Sequence, residues 1–126
     1  MDKRKLAYWA STGLLAFAML GSGLAKLARA DELVANMTRL GYPDYMLPIL
    51  GFWYVAAALA FVVPKMPRAK EWAYAGVFVA LTGAVASHAA VGDPLSGSVP
   101  LFVLLTLTVT SYVTRPDGRK VVPASR

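Results

Sequence analysis

Residues 6–25, 45–63, 72–91 and 95–114 contain no Asp, Glu, Lys or Arg. Each run is close to the ~20 residues with which a helix rising ~1.5 Å per residue crosses ~30 Å of hydrocarbon. The pattern predicts an all-α, polytopic membrane protein. Its expected architecture is an antiparallel bundle of four transmembrane helices spanning about 6–26, 45–63, 72–91 and 95–114, with residues 1–126 forming a single transmembrane domain.

Breaks between the runs support four separate helices. Pro64 and Pro67 bracket the second turn, because proline lacks the N–H that a continuing helix needs. Gly92-Asp93-Pro94 separates the third run from the fourth, with Gly92 suited to a left-handed helix cap. Pro48 falls in a first turn, where a missing donor is harmless. Pro100 marks either a first helical turn or a kink. In the longest connection, Leu33, Met37 and Leu40 recur at helical spacing behind Asp31, a candidate N-cap, and Gly41 with Pro43 supplies a stop. Asp31, Glu32, Asn36 and Arg39 occupy the polar face. A short amphipathic helix lying on the membrane surface between the first two spans is expected there.

Composition and charge add a direction. The chain is 57% hydrophobic and 16% charged, too apolar for one small core to hide, so the lipid bilayer is the first partner. The net charge of +6 sits in short clusters beside the segment ends, which fits lipid headgroups and excludes nucleic acid as a partner. Lys3, Arg4, Lys5, Lys65, Arg68, Lys70, Arg115, Arg119, Lys120 and Arg126 fall on one side of the membrane, and Lys26, Arg29 and Arg39 on the other. The bias places both termini in the cytoplasm. Tyr8, Trp9, Trp72, Tyr74 and Tyr112 are expected in the cytoplasmic aromatic belt, Tyr42 and Tyr45 in the outer one, and Trp53 and Tyr54 in the bundle core. The first run is about twice the length of a secretory signal core, so it is expected to remain as a span.

Helices in lipid associate through close backbone approach, so small residues predict the packing faces. Gly76, Ala80, Ala84 and His88 repeat every four residues, flanked by Gly83 and Ser87; Ala18, Ser22 and Lys26 do likewise with Gly23 alongside. Thr106, Thr110 and Ser111 offer hydroxyls on the last helix. Lys26, His88 and Asp93 come from distant parts of the chain to one membrane depth, and form the candidate polar site. No catalytic residue is assigned. With no cysteine and one histidine, the chain has no thiol relay, no cysteine-ligated cluster and no bis-histidine haem, and no metal site is expected.

Further residues carry a family resemblance: Gly23-Leu24-Ala25-Lys26-Leu27, Leu40-Gly41-Tyr42-Pro43 and Ile49-Leu50-Gly51, with residues 67–76 reading PRAKEWAYAG, then Ser87-His88 and Gly92-Asp93. Over residues 8–116 the chain resembles the DoxX-like family of small bacterial four-helix membrane proteins. The resemblance implies that fold and a bacterial cytoplasmic (inner) membrane location. The family name comes from proteins linked to thiosulfate:quinone oxidoreduction, other relatives are associated with oxidative-stress complexes, and no catalytic residues carry over.

Three function classes follow. The leading one is a non-catalytic or accessory subunit or scaffold, with membrane or peripheral protein partners or a homo-oligomer, needing only packing faces and no cofactor. The second is a quinone-linked oxidoreductase component, with His88 exchanging a proton with a quinone carbonyl, Lys26 as electrostatic partner and Asp93 orienting His88. The third is a small-solute permeation protein, for which the Thr-rich last helix would line a hydrated path. The charge bias makes a direct prediction: reporter fusions after Arg126 and within residues 33–39 should give opposite localisation signals, and a periplasmic carboxy terminus would overturn the topology.

Overall fold

The computed structural model describes residues 2–116, and among these it is all helical. The elements are α1 (Lys3–Leu27), α2 (Asp31–Leu40), α3 (Met46–Val62), α4 (Pro67–Ala90), a short 3-10 turn (Leu95–Ser98) and α5 (Val99–Val113). Among the described residues, three stretches are long and apolar enough to cross a membrane: Lys3–Leu27, Pro67–Ala90 and Leu95–Val113. α3 is apolar but has 17 residues, about 26 Å at ~1.5 Å per residue.

Helix boundaries differ from the charge-free runs because backbone hydrogen bonding, and not side-chain polarity, ends a helix. α1 begins at Lys3, where Asp2 accepts from the Lys5 N–H at 2.8 Å. α4 begins at Pro67 and carries Arg68, Lys70 and Glu71 in its first turns. Pro100 lies in the first turn of α5 and introduces no mid-helix kink. Asp31 does not cap α2. Ala30 occupies that position without a side-chain bond, and Asp31 lies inside the first turn, where its charge favours the helix dipole. Gly41 and Gly92 both take left-handed φ angles, 87° and 85°, and stop α2 and α4.

α1 packs against α3 and α5, and α4 packs against the same two helices. The core between them consists of Leu15, Ala16 and Met19 from α1, Ala57, Ala58 and Phe61 from α3, and Tyr74, Val77 and Leu81 from α4. Leu101, Leu104, Leu105 and Leu107 of α5 cover it. The tightest backbone approach is between α1 and α3. A Cβ on Gly51 would lie 2.8 Å from the Gly23 carbonyl oxygen, and one on Gly23 would lie 2.9 Å from the Gly51 oxygen. Only hydrogen fits at either position.

The buried face of α4 corrects one expectation. Gly76 and Gly83 have nothing within 4 Å of a would-be Cβ, Ala80 and Ala84 are half-buried, and the inward face carries Lys70, Tyr74, Val77 and Leu81. The interior between four helices needs volume to fill it, so the large side chains point inward and the small ones line the outside. On α1, Gly23 makes the close contact, while Ala18 and Ser22 sit half-buried at its margin. Three aromatic assignments change for the same reason. Trp53 does not fill the core; it is 62% exposed, edge-on to Phe52, whereas Tyr54 packs against the core. Tyr8 and Tyr74 leave the expected belt and are buried, because each lies on the inner stripe of its helix.

A matched pair of substitutions tests this packing. Gly51→Ala should lower thermal stability in detergent by an overpacking cost of about 1–3 kcal/mol. Gly83→Ala, which meets open space, should be neutral or raise stability by up to about 1 kcal/mol through helix propensity. Equal effects from the two would overturn the assigned crossing.

Candidate functional site

Two caps of the same kind build a polar cluster beside α2. At the end of α4 the Gly92 N–H donates to the Ala89 carbonyl at 3.0 Å and the Asp93 N–H to the His88 carbonyl at 3.0 Å. This pairing with a left-handed glycine turns the Asp93 side chain back over the last turn. At the end of α2 the Tyr42 N–H donates to the Met37 carbonyl at 2.9 Å beside Gly41, and the chain reverses likewise.

The two reversals meet. Asp93 Oδ2 lies 2.7 Å from His88 Nδ1, and Asp93 Oδ1 accepts from Arg39 Nη1 at 2.8 Å. Arg39 Nη2 also donates to Asn36 Oδ1 at 3.1 Å. Tyr42 Oη and Ser87 Oγ are 2.6 Å apart, and Ser87 donates to the Gly83 carbonyl at 2.8 Å, which leaves Tyr42 as the donor to Ser87. The Arg39 hydrogen bond, reinforced by that of His88, holds the Asp93 carboxyl below its ordinary range. Asp93 in turn raises the Arg39 guanidinium above its own. A neutral His88 that donates its Nδ1 hydrogen to Asp93 keeps the lone pair of Nε2, so the dyad can accept a proton or a hydrogen bond at that atom.

Lys26 does not join this cluster. Its Nζ donates to Ser22 Oγ at 2.8 Å and lies 4.6 Å from the centre of the Tyr54 ring. The i to i+4 geometry of a helix brings Ser22 within reach, and the aromatic face supplies a second partner. Of the three residues proposed from depth alone, the structure unites His88 and Asp93 and substitutes Arg39 for Lys26. Sequence reasoning missed Arg39 because no local spacing connects it with Asp93 across 54 positions.

A second set of polar groups lies toward the other end of the helices. Lys70, 1% exposed, donates from Nζ to the carbonyls of Ala60 at 2.8 Å, Lys65 at 2.7 Å and Val63. Its burial had a signal in the sequence: Lys70 shares one helical face with Tyr74, Val77 and Leu81 once the helix begins at Pro67. Tyr74 Oη is 2.6 Å from Ser111 Oγ, which is 2.5 Å from Thr12 Oγ1, so one chain of hydroxyls joins α4, α5 and α1. Glu71 Oε2 accepts from Arg115 Nη1 at 2.6 Å, and the guanidinium stands 3.7 Å over the Tyr112 ring. Arg4 donates to the Arg115 carbonyl at 2.6 Å. Thr106, Thr108 and Thr114 return their hydroxyls to carbonyls four residues back on the same chain.

A profile of the DoxX-like family matches residues 10–111, which include α2, α4, the His88–Asp93 pair and the glycine crossing. The chain belongs to the DoxX-like family. No curated protein and no solved structure matches it. For this DoxX-like membrane protein the family therefore establishes kinship and membrane character, and the polar clusters are the geometric basis for any statement about its role.

The Asp93 contacts generate a pH dependence with a definite sign. Its folded-state carboxyl titrates below the ordinary 3.8, so the tether of α2 to the end of α4 is complete above that value and is lost as pH falls through the lowered one. Amide protection in residues 31–40, measured relative to the intrinsic exchange rate at each pH, should fall on acidification. Asp93→Asn should show the lower protection already at neutral pH and no further acid step, and an unchanged profile would show that α2 is held by other contacts.

Proposed function

We propose that this DoxX-like protein is an accessory, non-catalytic subunit or scaffold of a membrane complex in the bacterial cytoplasmic membrane. In this reading the four apolar helices cross the bilayer in alternating directions, both termini face the cytoplasm, and α2 lies on the opposite surface. The 17 residues of α3 are short for the purpose, which local bilayer thinning accommodates at a fraction of a kcal/mol per ångström.

One observation carries the reading: the strongest polar groups join one helix to another. Lys70 links α4 to the end of α3, the Tyr74–Ser111–Thr12 hydroxyls link three helices, Glu71–Arg115 links α4 to the end of α5, and Asp93 ties α2 to α4. The outward surface is apolar, with Phe17 77%, Trp72 81% and Val79 67% exposed. Such a frame offers surface for lipid, for a second copy or for a partner subunit. A second reading, as a quinone-binding component, draws on the His88–Asp93 pair, whose free Nε2 suits a quinone hydroxyl or carbonyl.

Solubilised in mild detergent from its own membranes, the full chain should hold one further polypeptide at constant ratio through two purification steps. Deleting the chain should lower that polypeptide in the membrane. A chain that runs alone, and whose loss changes no other membrane protein, would overturn the subunit reading. Thermal stabilisation by a short-chain quinone that disappears in His88→Ala would select the second reading instead.

A further inference from the structure

An apolar groove of about 510 Å³ runs between α3 and α4, outside the core. Its lining includes Ala56, Ala60, Ala73 and Gly76 beside the buried Ala57 and Val77, with Trp53 and Trp72, 62% and 81% exposed. From Leu50 to Ala60 the groove follows eleven residues of α3, about 15 Å of helix. Its wall is mostly hydrocarbon.

The turn between α3 and α4 closes the end of the groove near Ala60 and Ala69. That turn carries two exposed cations: Lys65, whose carbonyl shares the Lys70 ammonium with that of Ala60, and Arg68, next in sequence to the groove residue Ala69. The side chains of Lys65 and Arg68 are exposed and make no hydrogen bond or ion pair among the described residues. The nearest carboxylate along the chain, Glu71, is engaged by Arg115. Lys65 and Met66 both hold left-handed backbone conformations, φ 64° and 56°, so the turn that displays the two cations has a defined shape.

We propose that this groove binds one acyl chain of an anionic phospholipid, with Lys65 and Arg68 holding its phosphate. An apolar trough closed by a turn that carries two exposed cations matches a molecule that is hydrocarbon along its length and negative at one end. Trp72, at that end, suits the headgroup level. A second copy seated by a twofold axis along the membrane normal would press its own Lys65 and Arg68 toward these two, and like charges oppose that contact. The proposal depends on membrane insertion of α3 and α4 and not on any protein partner, so its failure leaves the subunit reading untouched.

The experiment uses the full chain in detergent, titrated with phosphatidylglycerol or phosphatidylcholine carrying brominated acyl chains, with quenching of tryptophan fluorescence as the readout. Saturable quenching near one lipid per chain is expected for phosphatidylglycerol. The double substitution Lys65→Gln with Arg68→Gln should weaken it by roughly tenfold or more. Gly76→Leu, which enters open space and leaves both cations in place, should remove the saturable phase without loss of thermal stability. Linear quenching that is the same for both lipids, or an affinity unchanged by the double substitution, would overturn the proposal. So would a dimer whose dissociation by Gly76→Leu accounts for the signal, since a second copy would then be the occupant.

Discussion

The arrangement depends on satisfying the backbone carbonyls where α3 ends. A helix leaves its last carbonyls without intrahelical donors, and away from water each unsatisfied group costs several kcal/mol. α3 stops at Val62, ahead of Pro64, and the buried ammonium of Lys70 reaches back from α4 to three carbonyls around that end. The exchange is mutual, because an ammonium removed from water needs acceptors as much as the carbonyls need donors. It also holds the left-handed pair Lys65 and Met66, which otherwise costs about 1–2 kcal/mol per residue.

Everything on the inward face of α4 follows from that anchor. One turn beyond Lys70, Tyr74 enters the core and meets Ser111, which meets Thr12, so α5 and α1 take their register from the same face. Val77 and Leu81 complete it with bulk. With the large side chains inside, Gly76, Ala73 and Ala80 are left to line the groove on α3. The backbone contact of Gly23 with Gly51 fixes α1 on the other flank of α3 independently. Association in lipid gains little from hydrophobicity, and this protein uses hydrogen bonds at both ends of its helices together with the close backbone approach of Gly23 and Gly51.

Function in a frame of this kind lies at its edges. The His88–Asp93–Arg39 cluster couples an amphipathic helix to the end of α4, and the cationic turn at Lys65 and Arg68 lies beside an apolar trough. Both are places where a helix stops. Helix termini expose unpaired dipoles and reversals of chain direction, and charged side chains gather there to answer them.

The charge-free runs determined the membrane character and the two glycines where α2 and α4 stop, because hydropathy and φ preference are local properties of the chain, while short motifs such as Gly23-Leu24-Ala25-Lys26-Leu27 carried the family. The burial of Lys70 was not read from the sequence, which left it among the cations before the span at residue 72; it follows only once the helix begins at Pro67 and puts Lys70 on one face with Tyr74, Val77 and Leu81. What spacing could not carry was which small residues meet a neighbour. Gly23 is buried and Gly76 is open, yet each sits in a comparable stripe. The difference arises only when helices compete for one interior, since a face is inward relative to its partners and not in itself. The same holds for the polar site: that Asp93 takes Arg39 and His88 while Lys26 turns to Ser22 and Tyr54 was decided by how α2 folds back across the bundle. Hydrogen bonds act over about 3 Å, and only the tertiary structure brings residues so distant in sequence within that range.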